Sequence, residues 1–481
     1  MKKTLLDANL IKKYHQDLVF NYAEYPTCDH WSYEFSSDDF KSSLIDWLPK
    51  NPDKAIFFYV HIPFCQELCW FCTCSKFITS DYKMVTEYLA YLHKEIDLLF
   101  EFLNANDISL NVETVYFGGG SPTILTKNDL KILVDKLKSL FDWSTVANFT
   151  VESDPRRVDE DRLLYNHKVC GANRISFGMQ DFDEEVQRRV NRQQPVELFK
   201  RILTSDVRKA YKEIAFDLLI GLPGQTIDTM ANTCDQIIDL QPTLVQLSLM
   251  AYKPWIAKYQ VKMVSEGPLP DFLERKELLQ VIHEKLKAGG YIRTGFECYS
   301  LPESPMTQAF DEGKTHYGAA GHQAGGKVNF IAVGSSSKSN LGDDYYAQNF
   351  YDLNSYRKSL DKGNLPKFRG IKLSLDDKIR QHTTQRLRSY FSIDFQQIEK
   401  EFHINPEKYF RKEIEYMREM ENDGLVKISA SGIQMTELGI DFSQNISNVF
   451  DKYDPPGKSY QDRIETIKKA KLAQAERQKS F

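Results

Sequence analysis

The sequence predicts an α/β protein: a partial (β/α)6 barrel with an N-terminal arm and a small C-terminal, mostly helical, winged-helix-like domain. Three observations predict it. Between residue 56 and about residue 255, short apolar runs alternate with amphipathic helical stretches, the pattern of parallel strands joined by crossover helices. Polar and glycine residues recur where those runs end, the end at which barrel enzymes carry their chemistry. Four cysteines, Cys65, Cys69, Cys72 and Cys74, follow the first run directly.

Taken in chain order, strands are expected at 56–61, 114–117, 148–152, 174–178, 214–220 and 244–250, with helices over 85–102, 130–140 and 229–240 among them. Gly118, Gly119 and Gly120 close the second strand and Glu152 the third. Gln180 follows the fourth, Asp217 sits within the fifth and Ala251 follows the sixth. Alone, three glycines make any tight turn, and a lone Asp217 reads first as a satisfied core carboxylate. Recurrence at one end of successive strands favours a site. Beyond residue 255 the alternation weakens; a glycine-rich loop at 318–326 precedes another apolar run at 328–333. A strand pair at 425–429 and 432–436 gives the C-terminal unit its winged-helix character. Such units often bind DNA, but 413–423 is acidic, which favours a lid or docking role. The expected divisions are an arm over the active site at 1–50, the barrel with its extension at 51–370, the helical domain at 371–450 and a charged tail at 451–481. The tail reads as a solvated helix or frayed end.

Bulk properties exclude several classes. The 481 residues are 42% hydrophobic and 27% charged, with a net charge of -5, as in ordinary globular proteins. Nothing here asks for nucleic acid as a partner. No apolar run approaches a membrane span, and the start lacks the long apolar core of a secretory signal. Clustered thiols then point to a reducing compartment, so the cytoplasm is expected.

Cys65, Cys69 and Cys72 read C-x3-C-x2-C. One loop can wrap these three thiolates around a single centre. Three ligands on a [4Fe–4S] cluster leave one iron open to a substrate or cofactor. A structural zinc loop is the alternative, but it ordinarily pairs two such units. Cys28, Cys170, Cys234 and Cys298 are scattered and make no second unit.

The cysteine run within Tyr59-Val-His-Ile-Pro-Phe-Cys65 to Cys74 resembles that of radical S-adenosylmethionine (SAM) enzymes. With its fourth cysteine it is similar to the oxygen-independent coproporphyrinogen III oxidase family. The likeness covers nearly the whole chain. Tyr25-Pro-Thr27, Phe117-Gly-Gly-Gly-Ser-Pro-Thr123, Glu152-Ser-Asp-Pro155, Gly178-Met-Gln-Asp-Phe182, Val190-Asn-Arg192, Asp217-Leu-Leu-Ile-Gly-Leu-Pro223, Tyr346-Ala-Gln-Asn349 and Gly432-Ile-Gln-Met-Thr436 all match family segments. The resemblance implies a radical SAM partial barrel with a [4Fe–4S] cluster on Cys65, Cys69 and Cys72, Cys74 beside it, and two SAM molecules. It implies Phe71 against the first SAM, with Gly119 and Gly120 admitting the SAM amino acid. Tyr59, Glu152, Gln180, Arg192, Asp217 and Ala251 would contact one SAM or the other. The residue types suit SAM, because a carboxylate meets a cation or ribose hydroxyl and an arginine fork meets a carboxylate. A monomer is expected, with a tetrapyrrole substrate and a flavodoxin- or ferredoxin-like electron donor.

Departures from the family fall on the substrate side. A family arginine that would hold a propionate stands here as Asn21. A family Asp-His pair is Glu297-Cys298, a Gln-Gly-Tyr-Thr-Thr loop is Ala320-Gly-His-Gln-Ala324, and an apolar residue near the second SAM is Lys338. Lys338, His322 or Arg293 would have to compensate for the lost cation. Three functions follow. The first is oxidative decarboxylation of coproporphyrinogen III propionates to vinyl groups in haem biosynthesis. The second is methyl or methylene transfer from a second SAM to an aromatic or tetrapyrrole substrate. The third, a haem-binding chaperone-like relative, fits least, because such relatives usually lack the fourth cysteine and the long N-terminal segment.

Overall fold

The computed structural model describes residues 8–14, 23–318, 320–325, 329–342 and 344–457, with six further positions between 462 and 476. Asn21, Ala319, Gly326 and most of the charged tail lie outside the described residues. The chain divides into two compact units, one of residues 32–270, 328–372 and 478–481, the other of residues 1–31, 271–327 and 373–477.

The first unit is built on a parallel sheet. The six expected strands form as β1 (Ile56–Ile62), β2 (Val112–Gly119), β3 (Asn148–Ser153), β4 (Arg174–Gln180), β5 (Glu213–Ile220) and β6 (Leu244–Leu249). They pair in that order, each parallel to the next. A seventh, β7 (Asn329–Val333), joins parallel to β1 on its other side. Three antiparallel strands extend that edge: β8 (Lys338–Leu341), β9 (Tyr345–Asn349) and β10 (Lys367–Lys372).

The crossover helices start and face as their sequences require. Helix α1 (Tyr82–Ala105) is opened by Asp81, whose carboxylate accepts from Lys83 N–H. It buries Val85, Leu89, Leu92, Ile96, Leu99 and Leu103, a stripe at helical spacing. Helix α2 (Lys127–Leu140) is capped by Thr126 and buries Leu130, Leu133, Val134 and Leu137. Such caps are worth about 1 kcal/mol each. Phe58, Phe117, Phe149, Phe177 and Phe216 are fully or almost fully buried. Phe117 meets Phe149 edge to face at 5.2 Å, and Phe199, on the helix Val196–Ile202, meets Phe216 at 5.2 Å. Edge-to-face contact suits the ring quadrupoles.

The second unit carries the helices Phe272–Ala288, Leu375–Tyr390, Phe395–Phe402 and Arg411–Asn422. Strands Val426–Ser429 and Gly432–Met435 form a hairpin, and Ser392–Asp394 pairs onto it. Ile379, Leu387, Ile393, Ile398, Phe410, Met417, Leu425 and Ile433 build its core. Acidic residues of the 413–423 stretch are paired within the unit: Glu413 with Arg380 at 2.9 Å, and Glu419 and Asp423 with Lys13. No described helix is long and apolar enough to cross a membrane.

Candidate active site

The site grows from the alternation of strands. Tyr59 and His61, two apart on β1, share one face. Tyr59 stands beside Tyr116 in the register of β1 on β2, and their rings stack at 5.8 Å. Glu152 stands beside Ser176 where β3 meets β4, and Asp217 follows on β5. A polar row thus crosses five strands. Hydrogen bonds knit it. Tyr116 Oη–H donates to Glu152 Oε1 at 2.7 Å, Gly119 N–H to Glu152 Oε2 at 3.0 Å and Ser176 Oγ–H to Asp217 Oδ2 at 2.9 Å. Tyr59 Oη lies 3.2 Å from His61 Nδ1.

Electrostatics follow from burial. Desolvation raises the Glu152 carboxyl above its ordinary range, against the pull of Tyr116 and Gly119. Burial, with Glu152 adding, lifts Asp217 to about 7. Two carboxylates in one dry row cannot both ionise cheaply. Burial drops His61 to about 4, so it is neutral and available as a hydrogen-bonding partner.

Two glycines shape the floor. Gly119 has φ of +119°, and a Cβ there would stand 2.6 Å from the His61 ring. A Cβ on Gly120 would meet the Phe64 backbone at 2.7 Å. At both positions the protein itself fills the space a side chain would need, which requires glycine.

The cysteine loop leaves β1 and is fastened from several sides. Phe77 N–H donates to Pro63 O at 2.6 Å, Thr79 N–H to Cys65 O at 2.9 Å and Trp70 N–H to Val190 O at 3.0 Å. Gln260 Nε2–H reaches both Phe71 O and Ala251 O at 2.9 Å. Lys76 Nζ donates to Cys72 O at 3.0 Å and to Tyr259 Oη at 2.7 Å. Phe71 packs with Trp70 against Val186, Val190, Leu222, Met250 and Met263.

The thiols sit in contrasting surroundings. Two guanidinium groups reach Cys69 Sγ: Arg192 Nη1–H at 3.2 Å and Arg156 Nη2–H at 3.8 Å. Asp154 lies 2.7 Å from Arg156 Nη2 and 3.8 Å from Arg192 Nη1. Despite burial, these cations bring its carboxyl down to about 2. The Cys74 hydrogen bond and the Lys76 ammonium lower the Cys72 thiol, against desolvation, while burial pushes Cys65 up to about 12. Among the described residues, no three His, Cys, Asp or Glu side chains converge as a single metal ion requires. A cubane cluster asks for less convergence, since each thiolate binds its own iron. Three cysteines in one loop and guanidinium donors aimed at Cys69 Sγ fit such a cluster.

Of the residues expected from sequence, Tyr59, Gly119, Glu152 and Asp217 meet in the polar row. Cys65, Cys69, Cys72 and Phe71 form the adjoining loop. Arg192 bridges from Gly178 O, at 2.7 Å, to Cys69. Gln180 ends β4 with φ of +69°, at an irregularity in its pairing with β5. Ala251 contributes its carbonyl to the Gln260 clamp. Sequence reading passed over His61, Tyr116, Ser176, Lys76, Asp154, Arg156, Tyr259 and Gln260. Alternation from Tyr59 could have found His61; Gln260 acts on Phe71 from 189 residues away, and no local signal reports it.

The departing residues of the second unit cluster around a buried arginine. Arg388 is fully buried, its guanidinium 3.0 Å above the Phe296 ring and 5.4 Å from that of Tyr317. Burial lifts the Glu297 carboxyl to about 8, with Arg388 and Arg293 opposing. Burial also drops His322 to about 3. Cys298 Sγ accepts from Thr294 Oγ1–H at 3.4 Å. In the first unit, Lys338 opens β8, half-buried, beside Gln348.

The chain is similar to known proteins over most of its length. The radical SAM superfamily model matches residues 59–237. The oxygen-independent coproporphyrinogen III oxidase of Pseudomonas aeruginosa is 34% identical over 93% of this chain and 96% of its own. That of Escherichia coli K12 is 32% identical over 93% and 95%. The solved structure of the Escherichia coli coproporphyrinogen III oxidase, described as a radical SAM enzyme, superposes with a TM-score of 0.84 at 31% identity, covering 93% of this chain and 99% of that one. The chain therefore belongs to the oxygen-independent coproporphyrinogen III oxidase family of radical SAM enzymes.

Proposed function

We propose that this protein, like the coproporphyrinogen III oxidases it resembles, acts on coproporphyrinogen III, converting two of its propionates to vinyl groups by oxidative decarboxylation in haem biosynthesis. One observation carries the reading. The cysteine loop follows β1, the glycines end β2 and the carboxylates Glu152 and Asp217 belong to a polar row across β1 to β5, in a chain that matches family members over nine-tenths of its length. When bound, the [4Fe–4S] cluster supplies the electron that cleaves SAM to methionine and a 5′-deoxyadenosyl radical.

The protein's own residues do the rest. Cys65, Cys69 and Cys72 would hold three irons of the cluster, with Cys74 beside them. Gly119 and Gly120 let the SAM amino acid lie against backbone. Arg192, already at Cys69, offers its fork to the SAM carboxylate, while Glu152 and Gln180 serve its polar groups. Phe71 and Ala251 wall the first SAM, and Tyr59 and Asp217 face the second. A neutral Asp217 can donate a hydrogen bond as well as accept one. Each step on an ionised propionate gives one hydrogen atom to the radical, releases carbon dioxide and passes one further electron to a one-electron acceptor as the double bond forms; counted from the neutral acid this is a loss of carbon dioxide and two hydrogens. The cytosol provides the reducing setting, and the chain acts as a monomer.

The test is anaerobic turnover of the reconstituted protein with SAM, dithionite and coproporphyrinogen III, followed by mass. Two successive losses of carbon dioxide and two hydrogens are expected. Deoxyadenosine formed beside an unchanged tetrapyrrole would discard this substrate and move methyl transfer to first place.

A further inference from the structure

Glu152 carries a charge that the protein does not neutralise. Its side chain is half-buried in the polar row, and burial works against its ionised form. Among the described residues no lysine, arginine or histidine pairs with it; its partners are two neutral donors. Tyr116 Oη–H gives to Oε1 at 2.7 Å and Gly119 N–H to Oε2 at 3.0 Å. Each oxygen keeps a lone pair free. A desolvated anion without a cation is costly unless a ligand brings one.

Tyr116 is placed to make its bond. It is 7% exposed, and its ring stacks on Phe57 at 5.6 Å and on Tyr59 at 5.8 Å. Phe57 and Tyr59 stand two apart on β1 and share a face. Gly118 makes the room, since a Cβ there would come within 2.9 Å of both Tyr116 Cε1 and Glu152 Oε2. Burial, with Glu152 and Asp217 adding, holds the phenol well above its ordinary range, so it stays a donor. A carboxylate fixed at both oxygens has less freedom to lose when its ligand arrives.

We propose that Tyr116 is a positioning residue: it fixes the Glu152 carboxylate, ionised and in one orientation, for the cationic part of SAM, and Gly118 lets the two side chains meet. The inference rests on the radical SAM reading above and adds to it a residue that acts through Glu152.

The test is a double-mutant cycle read in SAM affinity. Labelled SAM is dialysed to equilibrium against the anaerobically reconstituted protein with its cluster left oxidised, so that no SAM is cleaved. Tyr116→Phe removes one oxygen and keeps the ring. It should weaken SAM binding about tenfold, the worth of a hydrogen bond to a charged group, with iron content at the wild-type value. Glu152→Ala should weaken binding further. In the Glu152→Ala background, Tyr116→Phe should have no additional effect. Gly118→Ala, which crowds the pair, should follow Tyr116→Phe in both backgrounds. An equal loss from Tyr116→Phe with and without Glu152 would overturn the proposal, because a ring that only packs the row acts whether or not the carboxylate is there. Iron loss in Tyr116→Phe would overturn it too, by moving the residue's role to the cluster loop. Weak binding in Glu152→Ala beside wild-type binding in Tyr116→Phe would sink the positioning role alone. Wild-type binding in Glu152→Ala would remove Glu152 from the SAM site, and the role of Tyr116 with it.

Discussion

Asp217 shows how a single residue reports its surroundings. On sequence alone it reads as a core carboxylate; in place it is a member of a carboxylate row with Glu152, held at about 7 by burial and by that neighbour. The sign of its linkage follows. Its folded pKa lies above the ordinary 3.8, so its contribution is present at acid pH and is lost as pH rises from about 4 through 7. Asp217→Asn removes that slope. Relative to wild type, the variant should gain roughly 2 kcal/mol of unfolding free energy between pH 5 and pH 8, less than the full shift because the side chain opens into the site. Urea melts at both pH values measure it, and an offset that does not change with pH would mean Asp217 is ionised throughout. Residue types were the most legible layer of this protein. Cysteine spacing and glycine runs have few other uses, so Cys65, Cys69, Cys72 and Gly119 could be read directly. Arg156 could not, because an arginine after Asp-Pro becomes informative only when it reaches Cys69, 87 residues away.

At the scale of elements, the parallel strands were legible because both faces of such a strand are buried, which writes a continuous apolar run. The strands β8 to β10 were not. They carry Lys338, Asn340, Gln348, Asn349 and Arg369, and their burial is offset by polar pairing: Arg369 Nε–H to Gln348 Oε1 at 2.7 Å, and Asn349 Nδ2–H to Glu95 Oε1 at 2.7 Å. Hydropathy cannot report a strand that buries polar side chains. The cysteine loop was legible as a loop, but its fastening was not. Gln260 is fully buried, donates to Phe71 O and Ala251 O, and accepts from Lys253 N–H at 2.6 Å. Gln260→Leu keeps the volume and orphans three backbone groups, at a cost of about 1–3 kcal/mol for each that water cannot reach. The variant should take up less iron on reconstitution and be nicked faster by protease between residues 66 and 76. Wild-type iron content with wild-type cleavage would show that the loop is held by its other bonds alone.

For the whole molecule, the division into two units sets where ligand binding must be felt. Every residue proposed to hold the cluster or SAM belongs to the unit of residues 32–270 and 328–372. The residues that depart from the family divide differently: Glu297, Cys298 and His322 sit in the other unit, around Arg388, and Lys338 in the first. Binding energy for SAM should therefore stabilise one unit selectively. A ligand at about a hundred times its Kd adds about 2.7 kcal/mol to the state that binds it, which for a body of this size raises its transition by roughly 5 °C. Calorimetry of the reconstituted protein should show one transition moving up with SAM while any second transition stays in place. Hydrogen exchange should slow in β1 to β5 and in the cysteine loop. Cys69→Ser, which removes a proposed cluster ligand, should abolish both effects without altering the transition that SAM does not move. A uniform shift of all unfolding, or protection concentrated around Arg388, would put the SAM-binding groups elsewhere than the row from Tyr59 to Asp217 and would overturn their assignment.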